Sequence, residues 1–251
     1  MTTSTSTVST PGVGLIWCSL LLLWSVVEAQ VATSGYELAI VCHKEGHLIE
    51  ALDLYVTNTL LNHSHVDETV ERFLKKVKKE RSGIDDVTEW IGHPINAYFL
   101  VERTANGWRE VKQCIDCSTC TCVPSEASLD FLSSWKNIID DDGIWTRIDD
   151  VSIAANGLGR LHHTYDLDIK TLMSGTISNK GTSPLTTSDV LNIANYLEEE
   201  FQVTWYEALL EVVDVTELES VFYNLAIAHH TGGFSWKALD ILTDLQKTSQ
   251  Y

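Results

Sequence analysis

Apolar residues recur in this chain at the spacing of an α-helix, and this periodicity constrains the fold more than any other feature. The long periodic stretches lack the alternation of a half-buried β-strand, and the 251 residues include only four prolines. Two apolar stripes show the spacing: Val190, Ile193, Ala194, Leu197 and Phe201 form the first, and Leu218, Val221, Phe222 and Leu225 form the second. Such stripes are typical of packed helices, so the sequence predicts an all-α fold after the N-terminal leader.

Three segments carry the signature of a helix start, a hydroxyl residue followed three residues later by an acid. The hydroxyl can accept a hydrogen bond from a free amide of the first turn, and the carboxylate complements the helix dipole. The predicted pairs are Ser64 with Asp67, Thr186 with Asp189, and Thr216 with Glu219.

Residues 1–29 are predicted to be a secretory signal peptide. An apolar stretch runs from Val13 to Val27, and Val27-Glu28-Ala29 offers small residues at the positions that signal peptidase reads. The leader lacks an early positive charge, so a retained membrane anchor is the alternative. After cleavage we expect no contact with a membrane, and location in the endoplasmic reticulum lumen or outside the cell. A secretory route makes Asn62-His63-Ser64 a candidate glycosylation site at Asn62.

The interpretation of four closely spaced cysteines also depends on the cellular compartment. They are Cys114, Cys117, Cys120 and Cys122. Thiolates at this spacing suit zinc in a reducing compartment, whereas an oxidising secretory route favours disulfides. Cys42 makes the count in the mature chain odd, so one thiol is free or pairs with another chain. We interpret the cluster as a crosslinked loop, with a thiol-redox or metal-carrying role as the alternative.

The charge balance excludes one class of partner. The chain has 17 Lys and Arg against 35 Asp and Glu, a net charge of −18. Nucleic-acid binding needs clustered basic residues, so we predict no nucleic-acid partner.

Motifs for catalysis and metal binding are weak or absent. His65-Val66-Asp67 matches the first half of a His-x-Asp…His iron triad, but Asp67 is better explained by its role at a helix start. Nucleophile-elbow, zinc-protease and phosphate-loop motifs are absent from the sequence. We therefore predict no catalytic residue and no metal ligand.

A break in composition divides the mature chain. Gly, Ser, Thr, Asn and Pro replace the periodic pattern at 175–184, which predicts one domain over 30–175 and a second over 185–251. Within the second, the Ala-Leu pairs of Trp205-Tyr206-Glu207-Ala208-Leu209 and Trp236-Lys237-Ala238-Leu239 recur, and Gly233 suits a tight turn between helices. This pattern favours a tetratricopeptide-like unit, whose helix pairs leave a concave groove for extended peptide.

Three further stretches occur in a characteristic order: Leu48-Ile49-Glu50-Ala51-Leu52, Gly92-His93-Pro94-Ile95-Asn96-Ala97-Tyr98 followed by Trp108, and Arg160-Leu161 with Thr164-Tyr165-Asp166-Leu167-Asp168. Together they resemble the alpha subunit of prolyl 4-hydroxylase, the procollagen-modifying enzyme of the endoplasmic reticulum. The similarity covers most of residues 45–247.

The resemblance implies a helical N-terminal dimerisation region over 30–175, followed by a tetratricopeptide-like domain over 185–251 that binds proline-rich or collagen-like peptide. In the family a dioxygenase domain follows, which uses iron, 2-oxoglutarate and ascorbate. The sequence stops at Tyr251, so we expect none of these cofactors in this chain and no proline hydroxylation by it alone. The family also implies a homodimer and an association with protein disulfide isomerase, which we expect to be weak here.

The peptide groove departs from the family pattern. Aligned on Gly233, the residues Asn224, Ile227 and His230 stand where the family usually presents tyrosines. Aromatic rings suit proline because they pack on the pyrrolidine ring, while a hydroxyl reaches a peptide carbonyl. The candidate peptide-binding residues of this chain are Tyr196, Trp205, Tyr206, Tyr223 and Trp236, with packing in the core as the alternative for each.

The sequence thus favours a non-catalytic relative of the alpha subunit that binds proline-rich peptide or protein in the secretory pathway. The alternative is a truncated form of a full procollagen-proline 4-dioxygenase, whose iron and 2-oxoglutarate domain lies outside this chain.

Overall fold

The structure is a computed structural model, and it describes residues 31–116, 124–140, 143–178, 180–211 and 215–248. A 3-10 turn (Val31–Thr33) precedes α1 (Gly35–Leu61), α2 (Glu68–Arg81), α3 (Val87–Ile91), α4 (Pro94–Glu102), α5 (Trp108–Ile115) and α6 (Glu126–Asp140), and a π-helical segment (Arg103–Gly107) joins α4 to α5. These are followed by α7 (Ile148–Tyr165), α8 (Ile169–Met173), α9 (Thr187–Tyr196), α10 (Glu199–Leu210), α11 (Val215–Thr231) and α12 (Ser235–Thr248). The predicted all-α class is confirmed. No described helix is both long and apolar enough to cross a membrane.

The break in composition at 175–184 contains a short hairpin. Strand β1 (Thr176–Ile177) pairs antiparallel with β2 (Lys180–Gly181). Gly175 begins this turn with φ at +81°, and a Cβ atom there would lie 2.5 Å from the carbonyl oxygen of Thr182. Both the backbone angle and the close approach require glycine at this position.

The predicted helix starts have different outcomes. At α9 the pair is confirmed: the Asp189 amide donates to Thr186 Oγ1 at 3.2 Å, and the Thr186 amide donates to Asp189 Oδ2 at 2.8 Å. At α2 the prediction is wrong, because Asp67 itself is the N-cap and accepts from the Thr69 amide at 2.7 Å. The third prediction is also wrong, since α11 begins at Val215 and already includes Thr216. A carboxylate one position before a helix caps it as well as a hydroxyl does, so spacing alone does not choose between them.

The buried apolar residues form two clusters. The larger joins the N-terminal part of α1 to α4, α7, α9, α10 and α11, and includes Val41, Ile95, Val151, Ile193 and Leu209. The smaller joins the middle of α1 to α2, α5 and α6. The larger cluster thus crosses the predicted boundary at 175–185, and the described residues from Val31 onwards belong to one compact unit. The division into two functional domains stays a prediction.

A buried ion pair fixes α1 against the segment that follows α4. Arg103 donates to both carboxylate oxygens of Glu45, at 2.6 and 2.8 Å, and its third nitrogen donates to Glu80 of α2 at 2.5 Å. The Trp108 indole donates to Glu45 at 3.0 Å. Burial alone would raise the pKa of Glu45, but the charge and hydrogen bonds of Arg103, with the Trp108 hydrogen bond, outweigh it and hold the pKa below its ordinary value.

Candidate functional site

Helices α9 to α12 pack in sequence order, α9 on α10, α10 on α11 and α11 on α12. Three polar side chains from three of these helices meet. Tyr206 Oη of α10 donates to Asn195 Oδ1 of α9 at 2.6 Å, and Asn224 Nδ2 of α11 donates to the same oxygen at 3.4 Å. Burial raises the pKa of Tyr206 to about 12, so its hydroxyl keeps its proton at neutral pH. Because Tyr206 is buried and its hydroxyl is used within the cluster, the groups that can bind a peptide backbone are the side-chain amides of Asn195 and Asn224.

Exposed apolar side chains lie beside this polar cluster on α11. Tyr223 is 56% exposed and Ile227 is also exposed, although both are large apolar residues. Tyr223 and Ile227 are four residues apart and Asn224 and Ile227 are three apart, so Ile227 lies between the other two on the helix surface. We call the surface formed by Asn195, Tyr223, Asn224 and Ile227, with the buried Tyr206 beneath it, the α9–α11 surface. It combines an aromatic ring with hydrogen-bonding groups, which is the chemistry that an extended proline-rich segment needs.

A second exposed aromatic group begins α12. Trp236 is 63% exposed and Phe234 is exposed as well. The ammonium group of Lys237 lies 5.5 Å from the Trp236 ring and 5.6 Å from the Phe234 ring, a cation–π arrangement. Gly233 makes the turn before them with φ at +84°. Trp236 is therefore accessible to a ligand.

The predicted peptide-binding residues do not all lie on one surface. Trp205 is only 1% exposed and packs against the His162 ring, with the ring centroids 6.2 Å apart. Tyr196 is half-buried, and its hydroxyl accepts a hydrogen bond from Asn106 at 3.5 Å. Tyr206 is only 3% exposed, and its hydroxyl supports Asn195 from below. Tyr223 is exposed on α11 and Trp236 on α12. Trp205 and Tyr206 are thus both core residues by position.

Asn195 was missed by the sequence analysis. It follows the buried residues Ile193 and Ala194, which carry the apolar stripe of α9, and is itself exposed. The available signal was its separation of 29 residues from Asn224, close to the spacing of the repeated Ala-Leu pairs. Equivalent positions in neighbouring repeats lie next to each other, so the two asparagines were candidates for contact.

The structure describes some of the other predicted site residues and not the rest. Cys114 is exposed near the end of α5, and burial raises the pKa of its thiol, while Cys117, Cys120 and Cys122 lie outside the described residues. Within the described residues, neither Cys114 nor the buried Cys42 forms a disulfide. Asn62 is exposed directly after α1, so glycosylation there stays a prediction.

Side chains that could bind a metal ion, those of His, Cys, Asp and Glu, do not form clusters of three or more in the described residues. His65 lies in the link between α1 and α2. Asp67 lies at the end of that link, where its carboxylate caps α2 by accepting a hydrogen bond from the Thr69 amide.

An exposed stripe runs along α1. Residues at alternating spacings of four and three include Tyr36, His43, His47, Leu54 and Leu61, all exposed on the same side of a 27-residue helix. We call these five residues the α1 stripe. Leu54 and Leu61 are 59% and 71% exposed, although the opposite face of α1 is buried in both apolar clusters.

Comparison with known proteins identifies the family. The sequence model of the prolyl 4-hydroxylase alpha-subunit N-terminal region matches residues 34–179, which run from the N-cap of α1 to the hairpin. Prolyl 4-hydroxylase subunit alpha-1 of Caenorhabditis elegans is 29% identical over 241 residues, covering 87% of this chain and 39% of that protein. Subunit alpha-2 of Gallus gallus is 26% identical over 81% of this chain and 36% of its own length, and subunit alpha-1 of Homo sapiens is 25% identical over 82% and 38%.

The chain therefore spans less than two fifths of the length of these relatives. The family model covers more than half of this chain. The chain belongs to the family of prolyl 4-hydroxylase alpha subunits and matches their N-terminal region.

Proposed function

We propose that this chain binds an extended, proline-rich peptide of collagen type on the α9–α11 surface. The observation that carries the proposal is the hydrogen-bonded meeting of Asn195, Tyr206 and Asn224 beside the exposed ring of Tyr223. An extended polyproline helix leaves its carbonyl groups free, because it has no internal hydrogen bonds. The side-chain amide donors of Asn195 and Asn224 can bind those carbonyls while the ring of Tyr223 packs on proline. Helices α9 to α12 then act as a tetratricopeptide-like unit.

The test is a titration of the whole mature chain with a (Pro-Pro-Gly) repeat peptide and with polyproline. Tryptophan fluorescence is a suitable probe, since Trp236 is exposed. We expect saturable binding with a Kd between micromolar and millimolar. Tyr223→Ala should raise the Kd at least about fivefold, which corresponds to a contact of about 1 kcal/mol.

The matched control is Tyr165→Ala, because Tyr165 is also strongly exposed but lies at the end of α7. This variant should bind as the wild type does. Absence of binding by the wild-type chain at millimolar peptide would refute the proposed ligand. An equal loss of affinity in both variants would show that the α9–α11 surface is not the site.

The second proposed role is self-association through the α1 stripe. Exposed apolar residues at heptad spacing on a long helix favour pairing with another helix, and the pairing buries surface that water otherwise covers. The measurement is molar mass by light scattering. Leu54→Glu should convert a dimer to a monomer, whereas Leu129→Glu on α6, where the leucine is 56% exposed, should not. A dimer that survives Leu54→Glu would contradict this role.

We also propose that the chain acts in the endoplasmic reticulum lumen or after secretion, and that its association with protein disulfide isomerase is weak. The alternative form of the proposal is that this chain is part of a full procollagen-proline 4-dioxygenase and supplies its peptide site. A transcript that continues past the codon of Tyr251 into a His-x-Asp…His…Lys pattern would establish the alternative.

A further inference from the structure

Two histidines on α1 converge through one ring nitrogen each. Nε2 of His43 and Nε2 of His47 are 3.2 Å apart, whereas the ring centroids are 4.7 Å apart and the ring planes are nearly perpendicular. The rings therefore approach each other through these two nitrogens rather than through their faces. Residues four apart lie one above the other on a helix, so the backbone itself holds the two side chains together.

The separation of the two nitrogens fits a shared transition-metal ion. With metal–nitrogen bonds of about 2.0–2.1 Å, nitrogens 3.2 Å apart form an angle of about 100–106° at the metal. This angle lies between the right angle of octahedral or square arrangements and the tetrahedral angle. The pair thus needs only a small rotation of the rings to bind one ion.

A carboxylate lies on the far side of one imidazole. Oε2 of Glu50 is 3.8 Å from Nδ1 of His47, the ring nitrogen that does not face His43. Histidines that bind metals usually present their second ring nitrogen to a carboxylate, a carbonyl group or water, which fixes the ring and makes the binding nitrogen more basic. Glu50 is placed for this supporting role and not for direct ligation.

Other histidines of the described chain lack this arrangement. Adjacent histidines, such as His162 with His163, point about 100° apart around their helix. His162 Nδ1 is also taken by the Leu167 carbonyl at 2.6 Å, and His230 Nδ1 lies 2.9 Å from Ser235 Oγ. His93 is buried. His43 and His47 are both exposed and accessible to an ion from solvent.

We propose that His43 and His47 form a binding site for a divalent transition-metal ion, Zn²⁺, Ni²⁺ or Cu²⁺. The chain supplies two imidazole nitrogens, and water completes the coordination. Imidazole ligands select these ions over Ca²⁺ and Mg²⁺, which prefer oxygen, and the expected order of affinity places Cu²⁺ above Ni²⁺ and Zn²⁺. The strongly acidic chain also attracts cations. Both ligands belong to one chain, so the site needs neither a bound peptide nor a second copy. His43 and His47 are also part of the α1 stripe, so the metal titration is repeated with Leu54→Glu, which keeps both histidines and should bind the ion as the wild type does.

The test is isothermal titration of the untagged mature chain with each metal ion alone. We expect one ion per chain at the histidine pair, reversal of the binding by a chelator, and no heat from Ca²⁺ or Mg²⁺. His43→Ala and His47→Ala should each weaken binding by more than about tenfold, since loss of even a supporting partner typically costs about 10–100-fold. Both residues are exposed on a helix and alanine favours helix, so circular dichroism should show folded variants.

The matched control is His65→Ala, which removes an exposed histidine outside α1. It should bind metal as the wild type does. Glu50→Gln should weaken binding less than the loss of either histidine. Absence of metal binding by the wild type, or binding that survives His43→Ala unchanged, overturns the proposal, as does an equal loss in His65→Ala.

Discussion

The buried pair of Glu45 and Arg103 makes a quantitative prediction about stability. Arg103→Leu leaves the Glu45 carboxylate, which is 0% exposed, with the Trp108 indole at 3.0 Å and the guanidinium of Arg81 at 3.6 Å. Removing one partner of a buried ion pair costs about 3–5 kcal/mol, because the remaining charge stays out of water. In a chain of about 150–250 residues each kcal/mol lowers the Tm by about 2–4 °C, so the expected decrease is about 6–20 °C.

The assay is urea unfolding and thermal melting at pH 7, followed by circular dichroism. The double variant Glu45→Leu, Arg103→Leu removes both charges, and it should recover most of the lost stability because apolar residues often replace buried ion pairs at little cost. The control is Lys78→Ala, which breaks a half-exposed ion pair with Asp53 and should cost less than about 1 kcal/mol. A loss below about 1 kcal/mol in Arg103→Leu, or a double variant less stable than the single one, would refute the reasoning.

Three further predictions concern the stability of the fold. Gly175→Ala should destabilise the fold by about 1–3 kcal/mol in urea unfolding, because the residue has a positive φ and its new Cβ would meet the Thr182 carbonyl; a neutral effect would contradict this. Thr186→Ala should cost about 1 kcal/mol through the lost cap of α9, and it should leave the slope of the urea transition unchanged. Folding lowers the pKa of Glu45, so its stabilisation is complete above the unfolded value of about 4.3 and is lost as the pH falls through the lower folded pKa. Urea midpoints of the wild type should therefore decrease more steeply than those of Glu45→Gln between about pH 5 and pH 3.

Local order along the chain was predictable from the sequence. The apolar residues Val190, Ile193 and Ala194 of α9 and its cap by Thr186 and Asp189 lie close together in the chain, so the spacing of residue types is enough to predict them. The continuation of this stripe through Leu197 and Phe201 as one helix is wrong, because α9 ends at Tyr196 and α10 begins at Glu199. The break at 175–184 was also predictable, because glycine and proline interrupt a helix wherever the chain goes next. The hairpin within this break was not predictable from the sequence, since the pairing of its two short strands depends on the path of the chain from α8 to α9.

The sequence alone did not decide which aromatic residues are available to a ligand. Trp205 and Trp236 stand in similar local patterns, yet Trp205 is buried against His162 and Trp236 is exposed. Hydrophobicity does not distinguish them, because burial depends on which helix covers each face, and that choice is made by contacts between residues far apart in the chain.

By itself, the sequence determined the helical class, the position of the break and the family. Only the tertiary structure decided that Tyr206 and Asn224 both donate to the side-chain oxygen of Asn195, or that the nitrogens of His43 and His47 converge. The residue types and their spacing set which groups can meet. Rotamers and the packing of neighbouring helices set the distances, and both the hydrogen bonds and the proposed metal site depend on those distances to within a few tenths of an ångström.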